Sequence, residues 1–143
     1  MNKQLATKEF IDTVLDCSVK RGVEDMQSLL QFATDSQTAK WSELSKFYTS
    51  LDENSKENIK VIIRESIVNS LISLFVLFDG ASGYTYISEK PCTIQLSICV
   101  YANENDATSQ NIEQEFIIAP VKSGEDLHDV FINSVETLYS DGL

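Results

Sequence analysis

The chain has 143 residues, 43% of them hydrophobic, and a formal net charge of −11 at pH 7. That length fits one compact domain spanning residues 1–143, able to bury about two-thirds of its unfolded surface. The charge argues against direct nucleic-acid binding, since the Lys/Arg footprint that phosphate neutralisation requires is lacking. It is also unevenly spread. Residues 1–64 hold nine basic and ten acidic side chains, a balance of −1, whereas residues 65–143 hold two and twelve, a balance of −10. Such a field favours a cationic protein partner, although plain solubility accounts for acidity equally well. The first ten residues contain no apolar core and no small-residue cleavage site, so no secretory signal is expected. The cysteines Cys17, Cys92 and Cys99 are odd in number and lack CxxC spacing. Free thiols in a cytoplasmic, reducing compartment follow.

Three shorter helices are expected first. Phe10, Ile11, Val14 and Leu15 mark one, capped by Thr7 and ended by Lys20-Arg21-Gly22. Val23, Met26, Leu29, Leu30 and Ala33 define a second. Asp35 or Ser36 begins a third, in which Trp41, Leu44, Phe47, Tyr48 and Leu51 recur at helical spacing and read as core.

The dominant stretch is Asp52 to Phe78. Ile59, Ile63, Ile67, Leu71, Leu74 and Phe78 step by fours and threes, with Asp52 or Ser55 able to cap the start and Gly80 to turn left-handed after the end. Val68, Ile72 and Phe75 widen the apolar stripe. A polar arc of Glu65, Ser66, Asn69, Ser70 and Ser73 remains, either a groove or a solvated face. The uncharged run from Ile67 to Phe78, interrupted by Asn69, Ser70 and Ser73, falls short of the roughly 20 apolar residues a bilayer needs. No membrane span is expected.

After Gly80 the period becomes alternating. Tyr84–Ser88 reads as a short strand and 89–91 as a turn. Cys92–Tyr101 places Cys92, Ile94, Leu96, Ile98 and Val100 on one face and Thr93, Gln95, Ser97, Cys99 and Tyr101 on the other. The loop 102–110 is polar and acidic. Residues 111–119 return with Ile112, Phe116 and Ile118 inward and Glu113, Glu115 and Ile117 outward. Ser123 then caps a last helix bearing Leu127, Val130, Phe131, Val135 and Leu138 on one face. The expected class is α+β: N-terminal helices with one long central helix, then a three-stranded antiparallel meander whose apolar face is covered by the C-terminal helix.

Motifs for chemistry are sparse. His128 is the single histidine, flanked by acids that raise its pKa, and any catalytic arrangement must use it. The loop at Asn103 departs from calcium-loop spacing, having Thr108 sixth and Gln114 twelfth. No phosphate loop joins a strand to a helix. Neither a metal nor a cofactor is expected, and no carboxylate pair marks an enzyme; a hydrolase or transferase would draw on Glu65, Asp79 or His128.

A Trp-bearing helix, a long helix closing on Leu74-Phe-Val-Leu-Phe-Asp-Gly80, a short meander and a final Leu-His-Asp helix together resemble several small bacterial families, some of them similar to immunity proteins that bind and block a cognate toxin. The resemblance covers roughly residues 41–135 in layout. It implies a cytoplasmic, non-enzymatic protein that works by its surface. The expected partner-binding residues, taken from the open sheet face and the acidic loop, are Gln95, Ser97, Tyr101, Glu104, Asp106, Glu113 and Glu115. A homodimer that covers Tyr101 and Ile117 is the remaining possibility.

Overall fold

The structure, a computed structural model, describes residues 2–32, 39–80, 85–87, 90–92, 94–101, 112–120 and 126–140; over 85–87 and 90–92 it describes the backbone alone. The elements are α1 (Lys3–Val14), a π-helical stretch (Leu15–Lys20), α2 (Arg21–Phe32), α3 (Ala39–Thr49), α4 (Glu53–Asp79), β1 (Thr85–Ile87), β2 (Lys90–Cys92), β3 (Leu96–Val100), β4 (Gln114–Ala119) and α5 (Leu127–Ser140). They fall into two compact units, one of residues 13–70 and one of residues 1–12 with 71–143.

Residues 3–32 form one helical run without the expected break at Lys20-Arg21-Gly22. The start is also earlier than Thr7: Asn2 caps it, accepting from the Leu5 N–H at 2.9 Å, while the Thr7 hydroxyl bonds the Lys3 carbonyl inside the helix. Leu15, Val19 and Val23 are buried at four-residue steps. In a straight α-helix such steps drift by about 40° each. The π-helical stretch has more residues per turn and offsets that drift, so the three keep facing inward. Gly22 is inside the helix because a Cβ there would meet Ile67 Cδ1 at 3.3 Å. On α3 only Tyr48 and Ser45 are buried, whereas Leu44 and Phe47 are exposed, so the aromatic run expected in the core is split between two faces.

Asp52 caps α4 as expected, accepting the Ser55 N–H at 2.7 Å, and this bond holds its carboxyl below the usual range. Gly80 follows the last turn at φ 73°. Between these ends only Val68 and Phe75 are buried; Val61, Ile62 and Leu74 are exposed. Ser66, Asn69 and Ser70 bond the carbonyls of Ile62, Glu65 and Ser66, so much of the polar arc is satisfied by its own helix. Among the described residues α4 is the one helix long and apolar enough to cross a membrane.

The three-stranded meander is not formed. β1 pairs with β2 and β3 with β4, as two separate antiparallel pairs among the described residues. The strand expected over 92–101 is interrupted at Ile94 and Gln95; its first residue, Cys92, belongs to β2, which pairs with β1, and Lys90 and Pro91 of the turn expected at 89–91 are strand residues. Alternation sets which residues share a face; it leaves open where a strand is interrupted and which neighbour it bonds. Pro91, which has no N–H to give, suits the short β2.

In β3–β4, Leu96 opposes Ala119 but Ser97 opposes Ile117, leaving Ile118 as the extra residue of a bulge. The bulge explains why two successive residues, Ile118 and Ala119, are both buried. The core of this unit is completed by Ala6, Ile11, Phe75, Leu127, Phe131 and Val135. Phe75 stands edge-on to Phe10 and to Phe131, with ring centroids 6.1 and 5.1 Å apart. The face foreseen for α5 is therefore the one buried.

Candidate functional site

Two groupings of polar residues lie in the second unit. The first is the outer face of β3–β4. Its register sets Ser97 opposite Ile117 and Cys99 opposite Glu115, and Glu113 donates its N–H to the Val100 carbonyl at 2.8 Å. Glu113, Glu115 and Ile117, at two-residue spacing, are exposed, with Ile117 45% accessible. Ser97 and Tyr101 are half-buried and Gln95 is exposed just before β3. The strands thus bring Ser97, Glu115 and Ile117 onto one face, with Glu113 two residues further out. Glu104 and Asp106 lie outside the described residues, as does Thr93. Ile112, expected inward, is exposed.

The second grouping joins the end of α4 to the start of α5. The Asp79 side chain is fully buried, and its carboxylate accepts the Leu127 N–H at 3.0 Å, the His128 N–H at 2.8 Å and the His128 Nδ1–H at 2.8 Å. A carboxylate can only accept, which places the proton on Nδ1. His128 Nε2 then faces Asp129 Oδ1 at 3.4 Å, on the more open side. The Asp79 hydrogen bond raises the His128 pKa, assisted by the charges of Asp129 and Asp126 and opposed by burial.

In the sequence Asp79 and His128 are separate candidates, and their pairing rests on a contact between residues 49 apart in the chain. Glu65, the third, belongs to the other unit, where Arg64 Nε stands 3.7 Å from its carboxylate. Asp126, His128 and Asp129 each offer one ligand atom, all within 4.8 Å of one another. That donor set is compatible with a divalent cation, but it is drawn from one helical turn with Asp129 exposed, and acidic first turns of this kind serve the helix dipole without an ion. The chain matches no protein-family model, no curated protein and no solved structure.

Proposed function

We propose that this is a cytoplasmic protein-binding protein that uses the outer face of β3–β4 to hold a basic partner, in the manner of immunity proteins that mask a cationic toxin. The observation that carries the reading is the exposure of Glu115 and Ile117 on one face of β4, with Glu113 exposed just before the strand. Two carboxylates beside an accessible apolar side chain combine electrostatic steering with a dry contact. The unit that bears this face holds four basic and thirteen acidic residues, a balance of −9. Cys17 and Cys99 are free thiols, in keeping with a reducing compartment.

The test is a pull-down from the source cell at about 0.05 M and then about 0.5 M salt, followed by association kinetics with the retained protein. A basic protein held in the first wash and weakened in the second is expected, with association slowed in the Glu113→Lys/Glu115→Lys variant. Unchanged rates and salt dependence in that variant would remove this face from the function.

A second reading, acid–base chemistry at His128, is favoured by its contact with the buried Asp79 carboxylate, the geometry that orients a catalytic imidazole. The same carboxylate is engaged with two backbone N–H groups of α5, which gives it a structural task as well. Turnover of an activated ester or phosphate that is lost in His128→Gln, with the fold retained, would move the assignment to this pair.

A further inference from the structure

A ribbon of two strands leaves one edge of each strand without a neighbour. Backbone N–H and C=O groups of successive residues point to alternate edges, so half of those on β4 face away from β3. Among the described residues no other element runs alongside β4, and outside its ladder with β3 none of its backbone groups has a backbone hydrogen bond. The edge is also open to water: Gln114, Glu115 and Ile117 are exposed and Phe116 is half-buried. It ends at the bulge, where Ile118 and Ala119 are buried. Residues 114–117 are thus its open length.

Charge says what this edge takes. Residues 94–101 and 112–120 include two carboxylates, Glu113 and Glu115, and no basic side chain; the basic residues after Arg64 are Lys90 and Lys122, both outside β3 and β4. Residues directly opposite each other on adjacent strands stand about 4.5–5.5 Å apart. A strand laid on β4 therefore sets one side chain beside Glu115 and another, two residues on, beside Ile117. The residue between them falls on the opposite face, next to Phe116. A basic residue opposite Glu115 is favoured and an acidic one disfavoured. A second copy of this edge brings two more carboxylates and no base to meet them. The outer edge of β3 is the poorer one, since Leu96 to Val100 are all half-buried and a strand there is about two strand spacings, roughly 9.5 Å, from β4.

We infer that the partner docks by strand addition: an extended segment of a basic protein lies along the outer edge of β4, with a lysine or arginine opposite Glu115, an apolar residue opposite Phe116 and a β-branched residue opposite Ile117. The inference rests on the reading of this face as the partner site and adds the form of the ligand. Main-chain hydrogen bonds hold the segment, and its alternate side chains select it.

NMR titration of the full chain with a synthetic peptide, Thr-Ile-Val-Lys-Val-Lys-Thr, tests this beside two forms of it methylated at alternate backbone nitrogens, one at the odd and one at the even positions. Only alternate N–H groups of an added strand point at β4. One methylated form should therefore bind at least about tenfold more weakly than the parent, and the other nearly as well. Glu115→Lys should weaken the parent peptide by about tenfold or more. Bound parent should also slow hydrogen exchange at alternate amides within 114–117 of the wild type, a readout that decides the matter alone if circular dichroism shows that Glu115→Lys fails to fold. Equal affinities for the three peptides, or equal losses in both methylated forms, overturn strand addition; the acidic face keeps its role if Glu115→Lys still weakens binding. Binding indifferent to Glu115→Lys, or no binding up to about 1 mM peptide, overturns it as well. Association kinetics with the whole basic partner then decide separately whether the face serves at all.

Discussion

Asp79 Oδ2 lies 2.8 Å from both the backbone nitrogen and the ring Nδ1 of His128, so one buried carboxylate oxygen closes α4 onto the first turn of α5. The first N–H groups of a helix have no partner within it, and a cap normally comes from the preceding residue. Here the cap comes from a residue 48 and 49 positions away from the nitrogens it serves. The same contact sets the orientation of the imidazole and ties two elements of one core.

Asp79→Ala removes an anionic acceptor from three donors at once. Loss of a cap costs about 1 kcal/mol and loss of a charge-assisted bond about 1.5–3 kcal/mol, so destabilisation of about 2–4 kcal/mol is expected. Asp79→Asn keeps a carbonyl oxygen for one backbone N–H and should lose roughly half as much. Urea unfolding of both variants measures this. A wild-type midpoint for Asp79→Ala would mean that the three bonds add nothing net.

Stability should also depend on pH through His128. Its folded pKa is raised above the ordinary value of about 6.5, chiefly by the Asp79 hydrogen bond. The folded protein thus binds the proton more tightly than the unfolded chain. The stabilisation is complete below about pH 6.5 and is lost as pH rises through the folded value. The wild type should lose stability over that interval relative to His128→Gln, which has no such titration. Equal pH profiles for the two proteins would contradict the linkage. Titration of the His128 ring protons by NMR gives the folded value directly.

The ends of α4 and the buried face of α5 were legible because their signals are local: a cap at Asp52, a positive-φ glycine at Gly80, and apolar spacing at Leu127, Phe131 and Val135, whereas the stripe expected from Ile59 to Phe78 on α4 has no buried member and Leu74 is exposed. The alternation that put Glu113, Glu115 and Ile117 outward is equally local, but it also put Ile112 and Gln114 inward, and both are exposed. The missed features depend on partners remote in sequence. Gly22 looks like a helix stop until Ile67 is seen against it, and Asp79 looks like a turn residue until α5 is placed on it. Strand pairing failed for the same reason. A period of two marks a strand over 92–101, but the interruption at Ile94–Gln95 and the choice of β1 or β4 as neighbour are settled by hydrogen-bond partners the pattern does not contain.

Phe75 should be the most costly apolar side chain of its unit to truncate. It is 2% exposed and touches the rings of Phe10 and Phe131 edge-on. Phe75→Ala opens a cavity between those rings, with an expected loss of about 3–5 kcal/mol, and Phe75→Leu should lose well under half of that. Near-ultraviolet circular dichroism should report loosened ring packing in the alanine variant. A loss below about 1 kcal/mol would mean the neighbouring rings close over the space.

Ser45 offers the opposite sign. It is completely buried on α3, and its hydroxyl has no hydrogen-bond partner among the described residues. An unpaired buried hydroxyl is costly, and alanine is the better helix former by a few tenths of a kcal/mol. Ser45→Ala should therefore stabilise the protein by about 1 kcal/mol, read as a higher urea midpoint at unchanged slope. A lower midpoint would reveal a partner for the hydroxyl.

The two thiols whose side chains are described should differ in reactivity. Cys17 is exposed on the π-helical stretch, whereas Cys99 is half-buried on β3 opposite Glu115. Access governs reaction with a disulfide reagent, and a facing carboxylate repels an anionic one such as Ellman's reagent. In a Cys92→Ser background the native protein should show a fast phase that Cys17→Ser removes and a slow phase, by about tenfold or more, that Cys99→Ser removes. Adding Glu115→Gln should accelerate the slow phase at low salt and have little effect at high salt, since screening then replaces the substitution. A slow phase indifferent to Glu115 at low salt would show that burial alone protects Cys99, and would weaken the case that the carboxylates of this face act together on an approaching charge.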